Sequence, residues 1–139
     1  MKFLLDTCVL SELVRKSPER AVLEWVNSQD EEDLCISVLT IGELVRGIER
    51  LPDSKKKARL RTWLEKDLCS RFEGRVLPLD AKVAATWGAV LAHAEGAGVR
   101  IPAIDGLIAA TAAATGLTVV TRNTRDMEAT GVPLLNPWP

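Results

Sequence analysis

The sequence contains no tyrosine, one histidine and three cysteines among 139 residues. A single histidine, His93, is too few for the multi-histidine sites that bind zinc. The cysteines Cys8, Cys35 and Cys69 are odd in number and lack CxxC spacing, which argues against a disulfide framework and a zinc site. Any metal ion in this protein is therefore expected to bind oxygen ligands.

Long apolar runs and the common phosphate-binding loops are also absent. No apolar stretch approaches the ~18 residues of a membrane-spanning helix, and Met1-Lys2 leads into a short apolar run instead of a signal peptide. Neither GxxxxGK[ST] nor GxGxxG occurs, which argues against a nucleotide-binding domain. We expect a soluble, cytoplasmic protein without membrane contact, folded as a single domain over residues 1–139.

Charge is nearly balanced, with 18 basic and 19 acidic residues and a formal net charge of -1. A nucleic acid would therefore have to bind a local basic patch instead of the whole surface. One stretch in the middle of the chain is rich in such residues: Arg46, Arg50, Lys55, Lys56, Lys57 and Arg59. A solvated helix face explains a run of this kind, and a surface that contacts phosphate groups is the alternative.

Short apolar runs alternate with segments of helical periodicity along the whole chain. Strands are predicted at residues 3–5, 34–36, 76–79 and 117–121, and residues 134–135 could add an edge strand. Helices are predicted after Asp6, from Leu39 onward and over residues 106–115, among others. This alternation predicts an α/β fold: a three-layer α/β/α sandwich around a mainly parallel sheet of four to five short strands.

Asp6 ends the first predicted strand, directly after the apolar run Phe3-Leu4-Leu5. A buried, unpaired carboxylate is costly, so burial alone does not explain an aspartate at this position. Open α/β sheets bind their ligands at the carboxyl ends of the strands. Asp6 is therefore either part of a binding site or simply the cap of the helix that follows.

Three more acidic residues could reach the same rim. Asp105 and Asp126 lie near strand ends or helix starts, and Glu43 lies in the early part of its helix. Crowded carboxylates repel one another, and a divalent cation such as Mg²⁺ or Mn²⁺ offsets that repulsion while drawing further ligands from substrate phosphates. The pattern predicts metal-assisted hydrolysis of a phosphate ester.

Four segments together carry a resemblance to a known family: FLLDTCVLSEL, SVLTIGELVRGIERL, IPAIDGLIAATAAATGL and TVVTRNTRDME. In this order, and over almost the whole chain, they resemble the PIN-domain ribonucleases of the VapC kind, the toxins of type II toxin–antitoxin pairs. The resemblance implies a PIN-like fold with Asp6, Glu43 and Asp105 as the three acidic metal-site residues.

The resemblance leaves the fourth site position open. Many PIN domains have an aspartate soon after the last core strand, where this chain has Asn123, with Asp126 one helical turn further on. Asn123 can orient a metal-bound water, and Asp126 can also bind the metal. Thr7 and Thr121 could donate to metal waters or to the scissile phosphate, although capping and strand-end hydrogen bonds explain them as well.

The family implies an endoribonuclease dependent on Mg²⁺, with Mn²⁺ as a substitute. Its partners would be an RNA substrate, a small cognate antitoxin whose basic side chain enters the acidic pocket, and a second copy of the chain in a homodimer within a larger assembly. Arg46 and Arg50, with some of the lysines and Arg59, would hold the flanking phosphates. The alternatives are a non-catalytic, metal-binding α/β regulatory module and a PIN-like nuclease directed at DNA.

Overall fold

The computed structural model describes residues 1–139. Its sheet has five parallel strands in the order β3-β2-β1-β4-β5: β1 (Phe3–Leu5), β2 (Leu34–Ser37), β3 (Val76–Leu77), β4 (Thr118–Val120) and β5 (Leu134–Leu135). Phe3 pairs with Leu34 on one side and with Thr118 on the other. The predicted α/β class and parallel sheet are confirmed. β3 ends at Leu77, two residues earlier than predicted, because the next residue, Pro78, has no amide to donate to a strand ladder.

Helices connect the strands: α1 (Thr7–Leu13), α2 (Arg20–Ser28), α3 (Val38–Glu49), α4 (Lys55–Thr62), α5 (Cys69–Arg71), α6 (Ala81–Gly96), α7 (Ala103–Thr115) and α8 (Thr124–Met127). A π-helical stretch, Trp63–Leu68, joins α4 to α5, and turns of 3₁₀ helix occupy Glu31–Asp33 and Glu128–Thr130. None of these helices combines the length and the apolar character needed to cross a bilayer.

The two faces of the sheet bury separate apolar clusters. Because side chains alternate along a strand, Leu4 and Leu5 point to opposite faces. Leu5 belongs to the cluster formed with α1, α2, α3 and the segment after α4. Leu4 belongs to the cluster that includes Ile108 and Ala112 of α7, and α6 packs against α7 on the outside. The molecule is therefore the predicted three-layer sandwich.

Helix α7 begins at Ala103, directly after Pro102, which is three residues earlier than predicted. Asp105 consequently lies in the first turn of this helix and not ahead of it. A negative side chain is favourable there because the helix dipole places partial positive charge at the amino end. Small buried residues of α7, among them Gly106 and Ala109, bring this end of the helix close to its neighbours.

The strand order creates a switch point between β1 and β4. From β1 the chain builds outward through β2 and β3, and it then returns to add β4 and β5 on the other side of β1. The connections leave the carboxyl ends of β1 and β4 in opposite directions, so a crevice forms between them. Asp6 follows β1 and Thr121 follows β4 at this crevice.

Candidate active site

Asp6 lies at the switch point, and its carboxylate is held by two donors. Only 4% of its surface is exposed. The Thr7 amide donates to Oδ1 at 2.8 Å, and the Thr121 hydroxyl donates to Oδ2 at 2.7 Å. Asp6 does cap α1, and the cap orients the carboxylate at the crevice. Neither donor carries a charge, so the negative charge of Asp6 is solvated by hydrogen bonds without being neutralised.

Thr7 connects Asp6 to Glu43. While its amide donates to Asp6, its hydroxyl donates to Oε1 of Glu43 at 2.5 Å. Glu43 lies in the second turn of α3 and is half-buried. One threonine at the start of α1 therefore fixes the relative positions of two carboxylates that come from different elements of the fold.

Thr121 fixes the other side of Asp6. It is fully buried, and its hydroxyl oxygen also accepts a hydrogen bond from the Asn123 amide at 2.9 Å. The Cys8 Sγ atom lies 3.7 Å from this oxygen and 3.8 Å from Asp6 Oδ2. Burial, followed by the charge of Asp6, raises the pKa of the Cys8 thiol, so Cys8 is a neutral neighbour of the site. No sequence pattern indicated this role for Cys8.

Asp105 reports that the acidic side chains lie close to one another. Burial and, in decreasing order of strength, the charges of Asp6, Asp126 and Glu43 together raise its pKa to about 6. These are the four acids that the sequence predicted to meet on one rim. Their mutual repulsion contributes to the raised pKa of Asp105.

No cation in the chain offsets this repulsion. The ion pairs of the structure all lie elsewhere, and none involves Asp6, Glu43, Asp105 or Asp126. Most structural carboxylate clusters are interleaved with lysine or arginine, because unpaired charges of one sign destabilise the folded state. A cluster without such partners is typical of a site that receives a cation from solution.

The residues present fit a hard divalent cation. No three or more His, Cys, Asp or Glu side chains are arranged to hold an ion directly. Mg²⁺ does not require such an arrangement, because it keeps several waters and binds through one or two carboxylates together with substrate phosphates. The all-oxygen donor set also matches Mg²⁺ or Mn²⁺ and not a softer metal.

Asn123 and Asp126 occupy the edge of the cluster, and both are exposed. Asn123 precedes α8 without capping it, and its side chain makes no hydrogen bond within the chain. Asp126 lies in the first turn of α8, and its charge acts on Asp105. Of the two residues offered for the fourth position, Asp126 is the one whose charge contributes to the raised pKa of Asp105.

The comparisons with known proteins identify the fold and the family. The family model described as PIN domain matches residues 3–132. The chain belongs to the PIN domain family. The resemblance noted in the sequence is thereby confirmed.

Similar proteins come from several bacteria. The chain is 40% identical to the VapC ribonuclease Y4jK of Sinorhizobium fredii over 134 residues, which covers 96% of each chain. It is 42% identical to Toxin FitB of Neisseria gonorrhoeae, with 97% of each chain covered. The crystal structure of FitAcB from Neisseria gonorrhoeae superimposes with a TM-score of 0.94 at 42% identity, covering 98% of each chain. This PIN domain therefore belongs with the VapC proteins.

The basic residues of the PIN domain fall into two groups. Arg46, Arg50, Lys55, Lys56 and Arg59 are exposed and have no acidic partner within ion-pair distance. Lys57, by contrast, is only 12% exposed at its side chain, and its Nζ atom donates to the carbonyl oxygens of Glu49 and Leu51 and pairs with Asp53. Lys57 closes the carboxyl end of α3, which leaves it unavailable to a ligand.

A groove of about 610 Å³ runs from the acidic site between α1, α3 and α4. Thr7 and Glu43 lie at its acidic end. Its apolar lining consists of Val14, Leu44, Gly47, Ile48, Leu51, Leu60 and Trp63, and its basic lining consists of Arg15, Lys16, Lys56 and Arg59. Sequence reasoning missed Arg15 and Lys16. Both follow α1, and they reach this groove only because α1 packs on α3, which the sequence pattern does not show.

Proposed function

We propose that the chain is a divalent-cation-dependent endoribonuclease that acts as the toxin of a type II toxin–antitoxin pair, in a single domain over residues 1–139. One observation carries the proposal: the charges of three carboxylates act on a fourth near the switch point of a PIN fold, and none of the four has a cationic partner. They are Asp6, Glu43, Asp105 and Asp126. The names of the similar proteins, a ribonuclease and a toxin, support RNA as the substrate.

Asp6, Glu43 and Asp105 would hold Mg²⁺ or Mn²⁺, directly or through water, with Asp126 adding charge and Asn123 orienting water at the exposed edge. When bound, such an ion acidifies a water molecule for in-line attack on phosphorus and stabilises the oxygen that leaves. Thr7 and Thr121 are positioning residues, because the Thr7 hydroxyl orients the Glu43 carboxylate and the Thr121 hydroxyl orients that of Asp6.

The RNA strand would approach over the exposed basic residues. An acidic crevice repels phosphates, so flanking nucleotides need cations close by. Lys56 and Arg59 share the groove with Glu43, and they are the best placed of the predicted RNA-binding residues. Arg46 in α3, Arg50 directly after α3 and Lys55 at the start of α4 would extend this surface. Lys57 is not included because its ammonium group caps α3.

The decisive test compares nucleic acids under defined metal conditions. The purified chain is incubated with single-stranded RNA, single-stranded DNA and duplex DNA of the same sequence, in Mg²⁺, in Mn²⁺ and in EDTA. We expect cleavage of RNA alone, in either metal, and its loss in EDTA. Cleavage that persists in EDTA would exclude the metal mechanism, and preferential cleavage of DNA would favour the nuclease directed at DNA. Metal binding without any cleavage would favour the regulatory module.

The groove is the proposed docking site of the antitoxin, in an assembly that also pairs two copies of the chain. An apolar floor with basic residues along its rim suits an amphipathic segment with acidic side chains, and the acidic end beside Glu43 suits one terminal basic side chain. Gly47 is an unfavourable residue for the interior of α3, yet nothing lies within 4 Å of the position that a Cβ atom would take there. Its absence of a side chain keeps the floor of the groove open.

Gly47→Leu tests this docking site, and Gly42→Leu is its matched control. Both glycines lie in α3 with free space around the missing Cβ, but only Gly47 lines the groove. We expect Gly47→Leu to weaken binding of the co-expressed cognate antitoxin by at least about tenfold by filling the groove. Neither substitution should lower the melting temperature, since leucine is a better helix former than glycine by up to about 1 kcal/mol. Equal antitoxin affinity in the two variants would place the antitoxin elsewhere.

A further inference from the structure

Arg122 lies at the rim of the acidic site, and its backbone is fixed there. It follows Thr121, whose hydroxyl donates to Asp6, and its own amide donates to Cys8 Sγ at 3.5 Å. The next amide, that of Asn123, donates to the Thr121 hydroxyl oxygen at 2.9 Å. The Arg122 backbone is therefore tied on both sides to the groups that surround the Asp6 carboxylate.

The Arg122 side chain is oriented by an aromatic ring and not by a carboxylate. Its guanidinium carbon lies 5.5 Å from the centre of the Trp138 ring, and no acidic side chain pairs with it. The other arginines that stack on a ring, Arg71 and Arg75, are both ion-paired with Glu31. A ring face orients a guanidinium without neutralising it, so Arg122 keeps its charge and its N–H donors.

Trp138 is itself anchored by a buried carboxylate. Its indole N–H donates to Glu12 Oε1 at 3.2 Å, and its amide donates to Asn136 Oδ1 at 2.9 Å. Glu12 is only 4% exposed and also accepts hydrogen bonds from the Glu19 amide and from Arg15. Burial alone would raise the pKa of Glu12, but these donors outweigh burial and lower it. Glu12 therefore stays charged and holds the ring in place.

We propose that Arg122, held over Trp138, binds a phosphate of the RNA strand that flanks the cleaved phosphate. This inference rests on the proposed nuclease function. The acidic crevice repels the strand, and a guanidinium carried by a backbone segment at its rim supplies the opposite charge with two parallel donors that match phosphate oxygens. Because the ring orients Arg122 before RNA arrives, less side-chain entropy is lost on binding. Arg122 is thus a binding residue, and Trp138 and Glu12 are positioning residues that act through it.

The test uses substitutions that separate charge from packing. Arg122→Met keeps an unbranched side chain over Trp138 without the charge, and Arg122→Lys keeps the charge without the planar fork. Arg20→Met is the matched control, because Arg20 is an exposed arginine of α2 that pairs with Glu24. Binding of a short single-stranded RNA is measured in EDTA on an Asp105→Asn background, which prevents cleavage. Cleavage kinetics and melting temperatures are measured for the same substitutions in the otherwise unchanged chain.

We expect Arg122→Met to bind RNA about tenfold more weakly at low salt and to reduce the slope of log K against log salt concentration by about 0.7, the value for one phosphate contact on a single strand. KM should rise with little change in kcat or melting temperature. Arg122→Lys should restore the salt slope and part of the affinity. Trp138→Leu should weaken RNA binding in the same direction, since the guanidinium then loses its support.

Two results would overturn the inference. One is an RNA affinity and salt slope for Arg122→Met equal to those of Arg20→Met. The other is a lower melting temperature in both Arg122→Met and Arg122→Lys, together with an unchanged salt slope. That result would show that the contact between Arg122 and Trp138 serves only to pack the fold. Failure of the unsubstituted chain to cleave RNA would contradict the nuclease proposal instead, so the two failures are distinguishable.

Discussion

Replacement of Asp6 by asparagine is expected to slow metal-dependent RNA cleavage by about a thousandfold while leaving the fold intact. Asparagine has the shape of aspartate and can still accept the hydrogen bond from the Thr7 amide. Asparagine lacks the negative charge that attracts a divalent cation. The charge is therefore lost at the switch point between β1 and β4, where we expect the cation to bind. Single-turnover cleavage at saturating Mg²⁺ measures the loss, and circular dichroism measures the melting temperature.

Asp30→Asn is the control for this substitution. Asp30 is exposed and precedes β2, so it lies at the opposite end of the parallel sheet from Asp6. We expect Asp30→Asn to cleave RNA at the unsubstituted rate. A similar rate for Asp6→Asn would show that the buried carboxylate serves only as the cap of α1, which is the alternative that the sequence alone left open.

The strands could be predicted because the sheet is buried on both faces. Leu4 and Leu5 point to opposite faces, so both must be apolar, and an apolar run results. The helix boundaries were less predictable. α7 begins right after Pro102, whereas the sequence pattern suggested a start at Gly106. Gly106 packs close to Trp87 of α6, a contact that no local pattern reveals.

The site was predictable only to the level of which acids could meet. Parallel strand order places residues that follow strands on one rim, and this rule brought Asp6 to the crevice. It carried no information on Thr7, whose hydroxyl reaches a glutamate 36 residues away. The run of basic residues suggested the same RNA-binding role for Lys57 as for its neighbours, whereas packing directs the Lys57 side chain to backbone carbonyls. Contacts of this kind depend on how helices dock, which no local pattern encodes.

The pKa of Asp105 predicts that acidity affects stability and activity in opposite directions. Burial and the three neighbouring carboxylates raise it to about 6, above the ordinary value of 3.8. Between about pH 4 and pH 6 the folded chain therefore binds a proton that the unfolded chain does not. Because the unfolded state binds fewer protons than the native state, the free energy of unfolding falls as pH rises through this range.

Asp105→Asn removes the loss of stability that ionisation of Asp105 causes in the folded chain. In EDTA at pH 7.5 we expect the variant to be more stable than the unsubstituted chain by on the order of 1 kcal/mol, a value reduced from the pKa shift because Asp105 is partly exposed to solvent. The difference should shrink as pH falls below 6 and approach zero at about pH 3, below the ordinary value of 3.8, where the side chain is neutral in the folded and the unfolded chain alike. Urea unfolding at several pH values measures it, with Asp30→Asn as a control that should show no such pH-dependent gain.

Cleavage should follow the opposite course. At subsaturating Mg²⁺, a carboxyl of pKa about 6 is about 90% protonated at pH 5 and almost fully ionised at pH 7.5, so the rate should fall about tenfold on acidification through this residue. Raising the Mg²⁺ concentration should move the midpoint to lower pH, because the cation and the proton compete for the same oxygen atoms. A midpoint that does not respond to Mg²⁺ would separate Asp105 from the metal site. We expect the midpoint pH to fall in proportion to the logarithm of the Mg²⁺ concentration. That result would show that the cation binds the same carboxylates whose repulsion destabilises the metal-free fold.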